Sequence, residues 1–124
     1  MSKTPRISEA EWDVMIVVWE KHPVTSQEVT EQLSPEKGWS AQTVKTLLSR
    51  LVKKGVLSYK QKGKSYLYRP LLSKKLYLRT ETKSFLDRVF GGSAAPMLAH
   101  LVENNKLSSE DIEELRRMLA DKEE

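Results

Sequence analysis

The 124-residue chain contains no cysteine and only two histidines, His22 and His100. The first absence excludes disulfides, thiolate metal ligation, thiol redox sensing and a cysteine nucleophile together. The second leaves too few imidazoles for a multi-histidine metal site within one chain. Long apolar runs are missing too. The longest, Val14 to Trp19, has six residues, far short of a membrane span. Met1–Arg6 are followed by no apolar signal region, so no membrane insertion is expected and the protein is read as cytoplasmic. There is no glycine-rich phosphate loop, no nucleophile elbow and no histidine-containing metal motif. No enzymatic activity, catalytic residue, metal or cofactor is therefore expected. What is present, 39% hydrophobic and 31% charged residues, suits a folded, helix-rich protein.

One more absence carries the functional argument. Between Lys37 and Thr80 there is no Asp or Glu, while twelve Lys and Arg fall in that stretch. All 17 acidic residues lie outside it, and the net charge is only +4. A basic middle between acidic flanks points to an element that binds a polyanion and to a separate part with another task.

Six helices and one hairpin are legible. Ser8-Glu9-Ala10-Glu11 has the form of a capping box, and the dense apolar run from Trp12 to Trp19 that follows predicts a helix buried on more than one face. His22-Pro23 ends it. Thr25-Ser26-Gln27-Glu28 is a second capping box, opening a short helix that carries Val29 and Leu33. Ser34-Pro35-Glu36-Lys37-Gly38 reads as a loop. Ser40 caps a third helix that ends at Gly55. Its Val44, Leu47, Leu48, Leu51 and Val52 form one apolar stripe. The opposite face holds Gln42, Thr46, Ser49 and Lys53, with Lys45 and Arg50 on its shoulders.

Two β-prone runs, Val56–Lys60 and Ser65–Pro70, flank a basic tip at Gln61-Lys62-Gly63-Lys64 and predict a hairpin. A fourth helix runs from Ser73 to Phe90, with Leu78, Phe85 and Val89 on one stripe and Leu86 and Phe90 beside it. A fifth starts at Ser93 with Met97, Leu98, Leu101 and Val102. A sixth, capped by Ser108, carries Ile112, Leu115, Met118 and Leu119. Trp12, Trp19 and Trp39 are expected to pack in the core, and His22 to pack or cap.

Helix, helix, helix, hairpin over residues 7–70 is the order of a winged helix-turn-helix, with the third helix placed to enter the major groove and the hairpin as the wing. The expected fold is mainly α with a small β-hairpin wing: a winged-helix DNA-binding domain over 1–72, then a three-helix dimerisation region over 73–124. The N-terminal core, with Trp12, Met15, Ile16 and Trp19 set against the second and third helices, is expected to be self-contained when the chain is cut after Pro70. Gln42, Thr43, Lys45 and Thr46 are the expected base-contacting residues, since amide, hydroxyl, methyl and ammonium groups read base edges. Arg6, Ser8, Ser26, Ser40, Ser49, Arg50, Lys53, Lys60, Lys62 and Lys64 are expected at the DNA backbone. Residues 103–124 hold eight acids and four bases. The last helices expose more apolar surface than so short a segment buries alone. Phe85, Val89, Met97, Leu98, Leu101, Val102, Ile112, Leu115 and Leu119 are therefore assigned to a homodimer contact. The reading from another class is a winged-helix module whose basic face docks an acidic protein.

Three stretches carry a family resemblance. They are Ile7-Ser8-Glu9-Ala10-Glu11-Trp12-Asp13-Val14-Met15, Gly38-Trp39-Ser40 with Thr43–Gly55, and the tail residues Leu101-Val102-Glu103, Leu107-Ser108 and Ile112–Arg116. Together they resemble the penicillinase-repressor family, the BlaI/MecI/CopY-like winged-helix transcriptional repressors, over about residues 6 to 120. The resemblance implies a homodimeric repressor of resistance or stress genes, the β-lactam type foremost, bound to inverted-repeat operator DNA. It also implies a sensor-protease pathway that cuts some members in the dimerisation region. The chain departs from the family twice. It lacks the cysteine-rich metal hook of the copper repressors. At the regulatory bond, where the family has Asn-Phe, it has His100-Leu101.

Overall fold

The computed structural model describes residues 6–123. Its elements are α1 (Glu9–Lys21), α2 (Ser26–Lys37), α3 (Ala41–Lys53), β1 (Leu57–Lys62), β2 (Ser65–Pro70), α4 (Lys74–Phe90), α5 (Ala94–Glu103) and α6 (Ser109–Glu123). Mainly helical, with a single antiparallel hairpin, it has the expected element order. The chain packs as two units, Met1–Thr80 and Glu81–Glu124.

Both capping boxes form as the sequence dictates. Glu11 N–H donates to Ser8 Oγ, 3.2 Å, and Ser8 N–H donates to Glu11 Oε1, 2.8 Å. Glu28 N–H donates to Thr25 Oγ1 and Thr25 N–H to Glu28 Oε1 in the same reciprocal way. Each pair satisfies donors that a helix start otherwise leaves open. His22 follows α1, and its Nδ1 lies 3.3 Å from the Val18 carbonyl, a cap on that helix end.

The stretch expected as a loop, Ser34 to Gly38, is instead the last turn of α2 up to Lys37, with Pro35 inside it. A proline this close to the end removes one donor, the one that would reach the Glu31 carbonyl, and no further turn is built on it. Gly38, at φ +69°, then closes the helix by donating its N–H to Ser34 O at 2.8 Å. A left-handed conformation here favours glycine. Lys37 also reaches back to Asp13 on α1, 3.4 Å.

The core of the first unit is made of Val14, Met15, Val17 and Val18 from α1, Val29 and Leu33 from α2, and Val44, Leu47, Leu48 and Leu51 from α3. Val24, Val56, Leu57 and Tyr68 complete it. β1 and β2 pair in register from Leu57↔Pro70 to Lys62↔Ser65. The strands thus run closer to the tip than expected, leaving a two-residue turn, Gly63-Lys64. Among the described residues of this turn only Gly63 has positive φ, the pattern of a hairpin turn that suits strand twist. Val24, between α1 and α2, exchanges two backbone hydrogen bonds with Tyr68 and ties the hairpin to the helices.

The first unit does not end at Pro70. Trp12 and Trp19 lie with their rings 5.5 Å apart on one face of α1, and Tyr77 of α4 packs on both, at 5.6 and 6.0 Å. Trp19 Nε1 donates to Leu72 O at 2.9 Å, and Ile7 N–H donates to the Tyr77 hydroxyl at 3.3 Å. The two tryptophans therefore take much of their packing from residues 72–77. Tyr77 is buried, whereas the α4 stripe read from the sequence, Leu78, Phe85 and Val89, is exposed. In the second unit none of the described residues is buried. Ser108 and Asp111 cap α6 reciprocally, at 3.0 and 3.1 Å.

A partly buried ion pair joins the start of α1 to the residue that follows α3. Glu11 is 1% exposed, and its carboxylate accepts from Lys54 Nζ at 2.5 Å; the same ammonium donates to Arg6 O at 2.8 Å. Burial pushes the Glu11 carboxyl up, but the Lys54 ammonium and the Ser8 hydrogen bonds outweigh it and hold the pKa below its ordinary 4.5. Glu28, bonded to the Thr25 backbone and hydroxyl, is also held low.

Two outcomes are expected. A carboxylate whose pKa is lower folded than unfolded contributes stability above its unfolded value, and that contribution is lost as pH falls through the folded value. Urea unfolding should therefore show stability falling as pH drops below about 4.5. Glu11→Gln should flatten this acid limb and cost about 2 kcal/mol at neutral pH, an unpaired partner being left behind. A fragment ending at Thr80 should also melt well above one ending at Leu72, because the latter lacks Tyr77. Equal melting temperatures would place Tyr77 outside the core.

Candidate nucleic-acid interface

α3 is amphipathic because its apolar residues recur at helical spacing. Val44, Leu47, Leu48 and Leu51 are buried, so the remaining positions are forced outward. Gln42, Thr43, Lys45, Thr46, Ser49, Arg50 and Lys53 are all exposed, and none carries negative charge. Every residue read from the sequence as a base or backbone contact on this helix thus shares its solvent side.

Local hydrogen bonds limit what the threonines offer. Ser40 caps the helix, its Oγ accepting from Thr43 N–H at 3.2 Å and lying 3.2 Å from the Thr43 hydroxyl. The Thr46 hydroxyl donates to Gln42 O at 3.0 Å. Its proton is committed to its own helix, which leaves its methyl group and an acceptor lone pair outward. Gln42 and Lys45 have no such tether among the described contacts, and both present donors.

The hairpin is two-sided. Residues directly opposite across an antiparallel pair point to the same face, so Tyr59 and Tyr68 share one face with Gln61 and Tyr66, and Lys60 and Leu67 share the other. The tyrosine face closes one side of a groove of about 1040 Å³. The other walls are the start of α2, with Thr25, Ser26, Gln27, Thr30 and Glu31, and α3, with Lys45, Ser49, Val52 and Lys53. Lys64 and Ser65 at the hairpin tip complete it. Of the expected backbone-contacting residues, the structure gathers Ser26, Ser49, Lys53 and Lys64 in this groove, together with Lys45. Lys60 and Lys62 do not line it. Arg6 and Ser8 sit at the start of α1, where Ser8 serves as the cap and the Arg6 carbonyl receives Lys54. Burial pushes the Tyr68 hydroxyl pKa up, with Tyr66 and Tyr59 adding to the shift.

The three wing tyrosines were not among the residues singled out from the sequence. Alternation in the two strands was a partial signal: it groups Tyr66 with Tyr68, but Tyr59 falls opposite Tyr68 and diagonal to Tyr66 only once the register is set.

In the second unit, Phe85, Val89, Leu98, Val102, Ile112 and Leu119 are exposed, while Met97, Leu101 and Leu115 are half-buried. His100 is exposed on α5, and Asn104 Nδ2 donates to its carbonyl at 2.8 Å. The His100-Leu101 bond lies inside a regular helix. Among the described residues there is no group of acids and histidines that could hold a metal, and no helix long and apolar enough to cross a membrane.

Comparison with known proteins agrees with this geometry. Residues 7–121 match the family described as penicillinase repressor. The penicillinase repressor of Bacillus licheniformis is 38% identical over 119 residues, covering 96% of this chain and 93% of that protein. The methicillin resistance regulatory protein MecI of Staphylococcus aureus strain N315 is 35% identical over 118 residues, 95% of this chain and 96% of that protein. Among solved structures, the Bacillus licheniformis BlaI monomeric form in complex with the blaP half-operator is 39% identical. It matches with a TM-score of 0.53 over 62% of this chain and 94% of that one.

The α3 face divides into two expected behaviours on DNA. Arg50→Ala should weaken binding to every duplex alike and lower the salt slope by about 1 per chain. Thr46→Ala should cost about 1–3 kcal/mol at the cognate site and relax sequence preference there. Fluorescence anisotropy titrations over a range of salt separate the two. Equal losses on cognate and unrelated duplexes for Thr46→Ala would remove that residue from the base edges.

Proposed function

Because this chain belongs to the penicillinase repressor family, we propose that it is a homodimeric transcriptional repressor that binds inverted-repeat operator DNA ahead of resistance genes, the β-lactam type foremost. The observation that carries the reading is the solvent face of α3. Gln42, Thr43, Lys45 and Thr46 stand exposed at the start of a capped helix, no acid interrupts them, and a basic-tipped hairpin stands beside them. Amide and ammonium groups placed this way address base edges, and the following Arg50 and Lys53 address phosphates. The protein acts in the cytoplasm, where its operator is.

The domain assignment follows the same logic: the first unit, up to Thr80, binds DNA, and the apolar residues of the second unit, from Glu81, dimerise. The apolar side chains exposed on α4, α5 and α6 support this, because a second copy presents the same apolar surface and the two bury each other. Two DNA-binding units on one dimer then read two half-sites.

Selection of bound duplexes from a random pool tests the proposal. The expected product is an inverted repeat whose half-site centres lie about 10 bp, or a multiple, apart. A pool that stays unenriched, with retention governed by charge alone, would favour a basic module docking an acidic protein.

Relief of repression is a separate matter. In the sensor-protease route the bond to be cut is His100-Leu101. A protease pocket fitted to an amide and a phenyl ring loses both contacts there, and the bond must first leave the α5 helix. We therefore propose release by another signal. Immunoblots of the native host under cell-wall antibiotic stress should show intact repressor leaving its operator; a fragment ending near residue 100 would contradict this.

A further inference from the structure

Resting on the reading of the first unit as a DNA-binding domain, we infer that the groove between α3 and the hairpin seats one sugar-phosphate strand of the duplex, with Tyr59 and Tyr66 as the wing's contact residues. The lysines Lys60 and Lys62 are not the contact residues on this side.

Three observations lead there. The first is sidedness. The hairpin register puts Tyr59, Tyr66 and Tyr68 on the face that lines the groove and gives Lys60 and Lys62 the alternate positions, outside it. A wing that gripped phosphate only through its strand lysines would have to turn its other face to the strand.

The second is exposure. Tyr68 is buried in the core and anchors the sheet, but Tyr59 and Tyr66 are 49% and 44% exposed, with their rings 4.8 Å apart. Two half-exposed rings, tilted at 45° to each other, offer an apolar surface for deoxyribose and two hydroxyl donors for phosphate oxygens. A hydroxyl bonded to a charged oxygen makes a stronger hydrogen bond than one bonded to a neutral partner.

The third is charge. Lys45 and Lys53 on the α3 wall and Lys64 at the tip bring three cations to the groove against one acid, Glu31. Glu31 is engaged at the rim by the Gln27 amide, 3.1 Å. A groove lined by tyrosine rings on the hairpin side and by cations on the α3 side and at the tip complements a sugar-phosphate chain and, through its cations, disfavours an apolar peptide.

The experiment uses the full chain with an operator duplex recovered by selection and an unrelated duplex of equal length. Tyr59→Phe and Tyr66→Phe keep the rings, so the melting temperature should stay unchanged. Each should weaken binding to both duplexes alike by roughly fivefold per chain. Neither releases counterions, so the salt slope should not move. Lys64→Gln should reduce that slope by about 1 per chain, and Lys62→Gln by clearly less. Wild-type affinity in both tyrosine variants, while the unmodified chain binds its operator, would overturn this inference and leave the repressor reading intact. A loss confined to the operator would also overturn it, because the tyrosines would then be reading bases. If the unmodified chain retains neither duplex, the repressor reading fails as well.

Discussion

The first unit depends on one constraint: α3 must bury Val44, Leu47, Leu48 and Leu51 on a single face. At about 1.5–3 kcal/mol for each fully buried aliphatic side chain, the burial far outweighs any preference of the opposite face for a particular orientation. The helix's rotation about its own axis is thus set by its apolar stripe. Gln42, Lys45, Thr46 and Arg50 are turned outward as a consequence, with no interaction of their own needed to hold them there. The ends of the helix are fixed separately. Ser40 caps the start, and Lys54, just past the end, is held by buried Glu11 from the start of α1. A recognition surface gains from such rigidity, since side chains fixed before binding lose less entropy on binding.

The two units solve the burial problem differently. Up to Thr80 the chain has enough helices and strands to enclose a core, and the Trp12–Trp19–Tyr77 cluster ties the start of α4 to α1. From Glu81 onward no described residue is buried, although α5 is rich in apolar side chains. Short helices of this kind gain most of their stability from packing. In the proposed dimer the second unit supplies association, and the first supplies the chemistry.

Much of this was legible in the residues. Both capping boxes, the α3 stripe and the order of six helices around one hairpin follow from local rules that depend on a few neighbouring side chains. What was not legible has two causes: a local helix closure that resembles a break, and partners distant in the chain. Pro35 reads as a loop breaker until Gly38, three residues beyond it, is seen to close the helix. Tyr77 does not stand out beside the Leu78–Phe85–Val89 stripe, because the tryptophans that bury it belong to α1. Lys60 and Lys62 stand out because charge is visible in a sequence, whereas their place outside the groove follows only from the strand register. The face of a strand that looks into a groove is set by register and by the packing of Tyr68, which are tertiary facts.

The central claim is that the exposed face of α3, with the groove beside it, is the surface that meets the duplex. Amide chemical-shift mapping of the full chain titrated with selected operator DNA tests it most directly. The account predicts the largest changes over residues 40–53 and 59–66, together with the start of α2 at Thr25 to Gln27. Changes concentrated on Lys74 to Arg79 or on the second unit, with α3 unmoved at saturation, would contradict it.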